Sequence, residues 1–357
     1  MNASTQAHRE RAWVEVDLSK LVHNARTALA AARGAKLLPM VKADAYGLGA
    51  VPVAKALEPL EPWGFGVGTV AEGAALRVAG IRRPILVFTP ACPELEPAYR
   101  AHDLRAVLDD PDVAARWALP FHLEIDTGMA RSGIRWDQAE QLAAVTSARV
   151  EGAFTHFHSA DSDPASVREQ WIRFQQALGR LGRRPELIHA ANSAGIWRLT
   201  EPLNLVRPGI FLYGGRAGAD LPSPEPVATL RAPVVSVRTL RAGDSVSYGA
   251  EWRAAATARI ATLGVGYSDG VPRSVHGPAQ ALLAGHRGAI VGRVTMDMVM
   301  VEVPPAVGDR VGVGDVATLF GSDGHAAITL DEFAGWAGTI SYEILTGLGS
   351  RVTREYR

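Results

Sequence analysis

The stretch KLLPMVKADAYGLG (residues 36–49) begins as an apolar run and ends at a lysine that a turn with two glycines follows. Lys42 is one of only four lysines in the chain, where arginine supplies the other basic residues. Surface positive charge is therefore carried by arginine, and a lysine at the end of an apolar run needs a reason of its own. The stretch predicts a buried strand that delivers a reactive amine to its carboxyl end.

Similar apolar runs follow, separated by alanine-rich amphipathic segments. About eight strand–helix units in roughly 200 residues are typical of a parallel (β/α)8 barrel of the TIM type, and a doubly wound open sheet is the alternative. The predicted strands are 36–43, 63–68, 84–88, 104–108, 121–126, 150–157, 187–191 and 205–208, and the clearest predicted helices are 69–79, 136–147 and 164–181.

The character of the chain changes at LPSPEP (residues 221–226), where three prolines indicate a linker. Beyond it, β-branched runs alternate with glycines and predict a mostly-β C-terminal domain. We expect a barrel domain over 12–226 and a β domain over 227–357, with residues 1–11 as a candidate addition to the latter. The predicted strands are 234–240, 259–265, 289–294, 298–303 and 316–320, and the glycine-containing segment 312–317 is predicted to be a turn, not a nucleotide loop.

Composition excludes several classes of function. The formal net charge is zero and no long run of like charges occurs, so nothing indicates a nucleic-acid partner. No apolar stretch has the length of a membrane span, and the first residues lack the apolar core of a signal peptide. The single cysteine, Cys92, suits a reducing compartment. We expect a cytoplasmic protein with no membrane association.

Polar residues gather at the carboxyl ends of the predicted barrel strands, where barrel enzymes hold their active sites. A partly desolvated lysine there can form a Schiff base with a carbonyl compound. Loops after strands seven and eight commonly bind phosphate. Here they offer Ser193, which we expect to cap the next helix, and Gly209 and Ile210, whose backbone N–H groups we expect to be unobstructed. A phosphorylated aldehyde between these loops and Lys42 points to pyridoxal 5′-phosphate. The rim positions are Lys42, 126–131, His156, Asn192, Ser193 and Arg207.

Nine motifs, in order and across both domains, resemble those of the alanine racemase family. The resemblance covers nearly the whole chain, and the succession of motifs is far more specific than any one of them. The motifs are VKADAYGLG (41–49), DTGMARSG (126–133), THF (155–157), ANS (191–193), VRPGIFLYG (206–214), SYGAEW (247–252), GYSDG (266–270), GRVTMD (292–297) and TISYE (339–343).

The resemblance implies interconversion of L-alanine and D-alanine by two bases, with D-alanine supplied for peptidoglycan. Lys42 would bind the cofactor and move the proton on one face of Cα, and Tyr248 would act on the opposite face. A free tyrosine titrates near pH ~10, so nearby cations would have to support it. Arg207 would face the cofactor's pyridine nitrogen and, because guanidinium keeps its protons, would leave that nitrogen unprotonated.

The resemblance also assigns the other site residues. It implies a homodimer in which the β domain of one subunit completes the site of its partner. The implied cofactor-binding set is Lys42, Tyr46, Arg131, His156, Ser193, Arg207, Gly209, Ile210 and Tyr342, and the implied substrate-binding set is Arg131, Met296, Tyr267 and Asp297.

One departure from the family lies in FHLEID (residues 121–126), whose alternation places His122, Glu124 and Asp126 on one face of the strand. Many family members have a lysine at the position of Glu124 that is carbamylated to hold the equivalent of Arg131. We hypothesise that Glu124 supplies that carboxylate directly.

Alternatives remain at this level. The amino acid could be another small one, such as serine. His156 and His158 are predicted to share one strand face, which is metal-ligand spacing. A metal-dependent barrel hydrolase is therefore the alternative from another class, although no HExxH motif or cysteine pair supports it. A non-catalytic carrier of the cofactor is a third alternative, and the predicted β domain argues against it.

Overall fold

The computed structural model describes residues 10–201, 203–275 and 277–357. Its contacts divide the chain into two compact units: residues 21–225, and residues 226–357 together with the N-terminal segment up to residue 20. The predicted boundary at residue 12 differs from this division. The strand Trp13–Val16 pairs with strands of the second unit, antiparallel to Ala228–Leu240 and parallel to Thr353–Tyr356.

The strands of the described chain are short in the first unit and longer in the second. In chain order they are β1 Trp13–Val16, β2 Lys36–Leu37, β3 Phe65–Val67, β4 Ile85–Pro90, β5 Arg105–Leu108, β6 Phe121–Asp126, β7 Ile134–Arg135, β8 Val150–Phe154, β9 Leu187–His189, β10 Leu205–Val206, β11 Ala228–Leu240, β12 Ser245–Val246, β13 Trp252–Arg253, β14 Ala258–Leu263, β15 Gln280–Leu283, β16 His286–Ala289, β17 Val299–Glu302, β18 Val316–Asp323, β19 Ala326–Ile328 and β20 Thr353–Tyr356.

Eight parallel strands of the first unit form a closed ring. Strands β3, β4, β5, β6, β8 and β9 pair in that order, and β10 pairs with β2. Single bridges complete the circle, Met40 with Gly66 on one side of the β2–β10 pair and Asn192 with Arg207 on the other. The predicted barrel is confirmed. Strands β2, β8, β9 and β10 end two to six residues before the predicted ends, whereas β5 and β6 end as predicted and β4 runs two residues further.

The barrel interior is filled by apolar side chains from different strands. Leu38, Leu86, Val107, Phe154 and Leu205 form one fully buried cluster, which Trp63, Phe88 and Leu187 border. Burying each such side chain contributes about 1.5–3 kcal/mol relative to leaving it exposed. This cluster supports the end of the barrel at which the polar residues lie.

Some helices of this unit begin after residues whose side chains cap them. Thr69 accepts a hydrogen bond from the Glu72 N–H and Glu72 reciprocates in a capping box, and Asp163 accepts from two N–H groups. The predicted helices 69–79 and 164–181 are confirmed, whereas 136–147 contains a helix of only six residues. The helices are Leu18–Ala31, Ala50–Leu57, Val70–Val78, Glu96–Ala101, Pro111–Arg116, Ala139–Ala144, Pro164–Arg180 and Gly195–Arg198, with Leu330–Ala337 and Ser341–Thr346 in the second unit.

The second unit is built around a nine-stranded sheet with the order β16-β15-β18-β11-β1-β20, to which β14, β17 and β19 are added. The mostly-β prediction is confirmed. The predicted strand 289–294 is wrong, because β16 ends at Ala289 and only a single bridge at Ile290 continues it. The segment 312–317 is a turn into β18, closed by the Gly312 N–H donating to Asp315. Among the described helices, none combines the length and apolarity that a membrane span requires.

Candidate active site

Lys42 begins a turn of left-handed backbone at the barrel mouth. The four residues that follow it, Ala43–Tyr46, have φ between 51° and 58° although none is glycine. Left-handed backbone costs an L-residue about 1–2 kcal/mol, so the surroundings must hold the turn. Glu72 accepts hydrogen bonds from the N–H groups of Ala43 (2.7 Å) and Gly68 (2.6 Å), and Asp44 accepts from the Ala50 N–H (2.7 Å).

Lys42 is an exposed residue at the mouth, and its amine lies among cations. Desolvation by the protein wall lowers its pKa, Arg131 and Arg207 lower it further, and Glu72 opposes them. A lower pKa raises the fraction of free amine, which is the nucleophilic and basic form of lysine. The observed setting therefore suits the predicted role of Lys42.

Arg207 is buried, with 3% of its surface exposed. Its guanidinium donates to Thr155 O (2.9 Å), to Ala190 O (3.3 Å) and to His189 Nδ1 (2.9 Å). Burial lowers the pKa of Arg207 to about 9, Glu124 opposes this and Arg131 adds to it. The group therefore remains charged at neutral pH.

His156 follows β8 and lies 3.5 Å from Arg207, measured from Nδ1 to Nη2. Burial lowers the pKa of His156 to about 3, with Arg207, Arg131 and Lys42 adding to the effect. His156 is therefore neutral at physiological pH. β8 ends at Phe154, so His156 and His158 do not lie on one strand face as predicted, and His158 is exposed and contacts Ser159. Among the described residues, no cluster of three or more His, Cys, Asp or Glu could hold a metal ion.

Glu124 is buried inside the barrel with 4% of its surface exposed, and Arg131 lies on the loop after β6. Glu124 Oε1 lies 3.9 Å from Arg131 Nη2, and Glu124 Oε2 accepts a hydrogen bond from Ser132 Oγ at 2.7 Å. Burial raises the pKa of Glu124, whereas Ser132, Arg131 and Arg207 lower it. The structure thus brings together the carboxylate and the guanidinium that the sequence paired.

Ser193, Gly209 and Tyr46 meet on the opposite side of the mouth. A Cβ added to Gly209 would lie 2.4 Å from the Tyr46 hydroxyl, so only glycine allows this approach. Tyr46 stacks on Tyr213, with ring centroids 4.6 Å apart. The loop of Ile210 follows directly, and its side chain is fully buried.

Two expectations about these loops are wrong. The Gly209 N–H is not unobstructed, because it donates to Ser193 Oγ at 2.9 Å, and the Phe211 N–H approaches the same oxygen at 3.4 Å. Nor does Ser193 cap the next helix, since Asn192 Oδ1 accepts the Gly195 N–H at 2.9 Å. Ser193 instead joins the two loops, and its own hydroxyl proton remains to be donated.

The remaining predicted residues lie in the second unit. Tyr248 begins a short turn after Ser247, and 69% of its surface is exposed. Ser247 Oγ donates to Arg293 O at 2.6 Å, and Arg293 forms an ion pair with Glu251 in the same turn. Tyr342, on the helix Ser341–Thr346, is also exposed.

Tyr267, Met296 and Asp297 lie on two loops that are bonded to each other. The Tyr267 N–H donates to Thr295 O (3.0 Å), and the Ser268 N–H donates to Met296 O (3.1 Å). Both loops contact a charged cluster, which we call the Asp269 cluster. The carboxylate of Asp269 is buried and binds two arginines that also bind Asp297. The cluster consists of Arg11, Asp269, Asp297 and Arg351.

Several of these residues escaped the sequence analysis. Glu72 was detectable in principle, since Thr69 and Glu72 have the spacing of a capping box before an apolar run. His189 ends β9 just before the ANS motif, so its strand-end position was the available signal. Asp269 lies inside the GYSDG motif, but nothing in the sequence predicts its pairing with residues from both chain ends.

Comparisons with known proteins agree over nearly the whole chain. Residues 16–217 match the family model described as alanine racemase, N-terminal domain, and residues 227–356 match alanine racemase, C-terminal domain. The alanine racemase of Carboxydothermus hydrogenoformans is 39% identical over 96% of this chain and 99% of its own, and that of Symbiobacterium thermophilum is 40% identical over 96% of each. The crystal structure of alanine racemase from E. faecalis has a TM-score of 0.90 at 31% identity, covering 99% of this chain and 100% of that one.

Fold and site together define a two-domain enzyme with a barrel whose mouth holds a lysine between arginines. The sequence matches are specific enough to go further. The chain belongs to the alanine racemase family.

Proposed function

We propose that this enzyme interconverts L-alanine and D-alanine with pyridoxal 5′-phosphate, and that it supplies D-alanine for peptidoglycan in the cytoplasm. The observation that carries the proposal is the match of residues 16–217 and 227–356 to the two alanine racemase domain models. The setting of Lys42 at the barrel mouth, near Arg131 and Arg207, agrees with it. The cytoplasmic location is supported by the single cysteine.

The residues at the mouth suit this cofactor. Ser193 can donate its hydroxyl proton to a phosphate oxygen, and the Gly209 position leaves room for the Tyr46 hydroxyl beside it. Arg207, which keeps its protons, would hold the pyridine nitrogen in its unprotonated form. We assign the phosphate to Tyr46, Ser193, Gly209, Ile210 and Tyr342. When bound, the cofactor supplies an electron sink that acidifies the Cα–H bond of the amino acid.

The proton transfers at Cα are assigned to two residues. Lys42 Nζ takes or returns the proton on one face, and Tyr248 Oη does so on the other. The exposure of Tyr248 and Tyr267 is consistent with side chains that serve a partner subunit's site. We therefore propose a homodimer in which Tyr248, Tyr267, Met296 and Asp297 act in the partner's site, with Arg131 and the Met296 N–H binding the substrate carboxylate.

Deuterium incorporation tests the two-base assignment. The enzyme is incubated with each enantiomer of alanine in D2O. The two enantiomers are then separated by chiral chromatography, and the deuterium content of each is measured by mass spectrometry. Tyr248→Phe is expected to exchange the Cα hydrogen of one enantiomer for deuterium without racemising it. Lys42→Ala is expected to catalyse neither the exchange nor the racemisation. Tyr356→Phe, which alters an exposed tyrosine on β20, is the matched control. Racemisation by Tyr248→Phe at the unaltered rate contradicts the assignment.

Mixed dimers test the shared site. If Lys42 and Tyr248 come from different subunits, a heterodimer of the two inactive variants contains one intact site. Random assembly of both variants then restores about a quarter of the original activity, since half of the dimers are mixed and each has one working site. No restoration on mixing and co-refolding contradicts the proposal.

A further inference from the structure

A row of polar side chains in contact with one another crosses the buried interior of the barrel and ends at Arg207. Arg207 Nη1 lies 2.9 Å from His189 Nδ1, and His189 Nε2 lies 2.8 Å from His122 Nδ1. His122 Nε2 lies 3.5 Å from Glu151 Oε2. Both histidines are completely buried. The proposed reaction uses Arg207 but none of the other three residues.

The direction of these hydrogen bonds follows from the donor inventory. Arginine can only donate, so His189 Nδ1 must accept and carries no proton. A neutral His189 then bears its proton on Nε2 and donates it to His122 Nδ1. By the same reasoning His122 bears its proton on Nε2, which points to Glu151. The carboxylate accepts at the end of the chain.

We propose that Glu151, His122 and His189 form a one-directional hydrogen-bond chain that fixes both histidines as neutral Nε2–H tautomers and positions Arg207. The three are positioning residues, since they act through Arg207. The catalytic consequence rests on the proposed role of Arg207 against the cofactor, whereas the tautomers rest on geometry alone.

The carboxylate decides the direction of the chain. Without the Glu151 carboxylate, a proton on His122 Nε2 has no acceptor, and this tautomer loses its hydrogen bond at the far end of the chain. The reversed arrangement places a proton on His189 Nδ1, which then faces the Arg207 N–H as donor against donor. The guanidinium would have to move away from this contact. A negative charge at Glu151 therefore favours the arrangement in which Arg207 stays in place.

The backbone around the chain is shaped to admit it. A Cβ at Gly152 would lie 2.4 Å from His122 Nδ1, so a larger residue there would displace the link between the two histidines. The ring of His189 stacks on Phe154, with centroids 4.9 Å apart and planes at 15°. These contacts hold both imidazoles where the hydrogen bonds require them.

The protonation states of Glu151 and of the two histidines agree with this direction of the hydrogen bonds. Burial raises the pKa of Glu151, but His122 and Arg105 outweigh that effect and the net pKa is lowered. Burial lowers the pKa of both histidines, which favours their neutral forms. The contact of 3.5 Å is longer than an ordinary hydrogen bond, and Glu151 Oε2 lies equally far, 3.5 Å, from Arg105 Nε. The final link is thus the weakest of the chain.

Neutron diffraction from crystals of the holoenzyme grown in D2O tests the tautomers directly. Deuterium is expected on Nε2 of His189 and of His122, with Nδ1 of both rings bare. Deuterium on Nδ1 of either ring, or a doubly protonated ring, overturns the proposal.

Kinetics of Glu151→Gln test the positioning role. We expect kcat to fall roughly tenfold, as for other outer-shell partners of a site residue, while KM for alanine changes less than about twofold. The exposed Glu186 just before β9 provides the matched control Glu186→Gln, which should change neither parameter. An unaltered kcat in Glu151→Gln, or an equal loss in the control, overturns the positioning role.

The two readouts separate this proposal from the proposed function. A protein with the expected deuterium positions that racemises no amino acid refutes the function and leaves the tautomer chain standing. An active racemase with a reversed or charged histidine pair refutes the chain alone.

Discussion

Replacing Glu124 by glutamine removes one charge from beneath Arg131 at almost constant shape. Two unit charges 3.9 Å apart interact by about 4 kcal/mol at an effective dielectric constant of ~20, and by about 1 kcal/mol in water. Arg131 has 55% of its side chain exposed, so solvent screens the pair toward the lower figure. We expect Glu124→Gln to weaken transition-state binding by about 1–2 kcal/mol, a factor of roughly 5–30 in kcat/KM.

The assay is steady-state racemisation of alanine, followed by chiral chromatography of the product. Ser132→Ala is the matched control, because it removes the other partner of Glu124 without changing charge. The charge effect predicts a loss in Glu124→Gln that clearly exceeds that in Ser132→Ala. A kcat/KM within twofold of the unaltered enzyme would refute the reasoning.

The same substitution has an opposite effect on stability. Burial raises the pKa of Glu124 above its ordinary value. The folded protein therefore keeps this proton at pH values where the unfolded chain has lost it, and stability falls as pH rises through that window. Glu124→Gln abolishes this loss. Its free energy of unfolding in urea should match the parent near pH ~4 and exceed it near pH ~8, and an equal difference at both pH values contradicts the assignment.

Three further changes probe other parts of the molecule. Gly209→Ala brings a Cβ within 2.4 Å of the Tyr46 hydroxyl. The affinity for pyridoxal 5′-phosphate, measured by fluorescence titration, should therefore fall at least tenfold. An unchanged affinity refutes the close approach. Burial lowers the pKa of His156 from an ordinary value of 6.5 to about 3 in the folded protein. Stability therefore declines as pH falls through that range, by up to about 1.4 kcal/mol per pH unit. On unfolding near pH ~5, His156→Gln should take up about one proton fewer than the unaltered protein, measured by potentiometry. Asp269→Asn removes the buried carboxylate from Arg11 and Arg351, which are partly exposed and keep Asp297, so it should cost about 1–3 kcal/mol in urea unfolding. A loss under ~0.5 kcal/mol contradicts the cluster's importance.

The sequence was sufficient to predict the barrel, because apolar strands and amphipathic helices alternate regularly along it. Apolar runs ending in polar residues recur along residues 36–208, and eight of them close into the ring. The lengths of β2, β8, β9 and β10 were overestimated, since apolar residues continue past the regular hydrogen bonds. β8, for example, stops at Phe154, three residues before the predicted end.

Local detail within the site was less predictable. Nothing in Ala43-Asp44-Ala45-Tyr46 indicates left-handed backbone, which L-residues avoid and which only the tertiary contacts of Glu72 and Asp44 support. The bond from the Gly209 N–H to Ser193 joins residues 16 positions apart, and propensity does not reach that far. Conversely, the pairing of Glu124 with Arg131 was foreseen, because strand alternation placed Glu124 on the polar face and the family resemblance placed a carboxylate beside Arg131.

The closing of the barrel ring has a kinetic consequence. The β2–β10 pair unites segments about 170 positions apart, and single bridges with a few backbone hydrogen bonds, such as Gly66 N–H to Pro39 O, join it to the six-stranded arc. Contacts of such long sequence separation are slow to form, because chain entropy must be lost before they stabilise anything. Residues 42 and 207 flank this junction, so catalytic competence should be acquired last during refolding. Amide exchange is accordingly expected to be fastest there and slowest in the arc, and occupation of the mouth by cofactor should slow it.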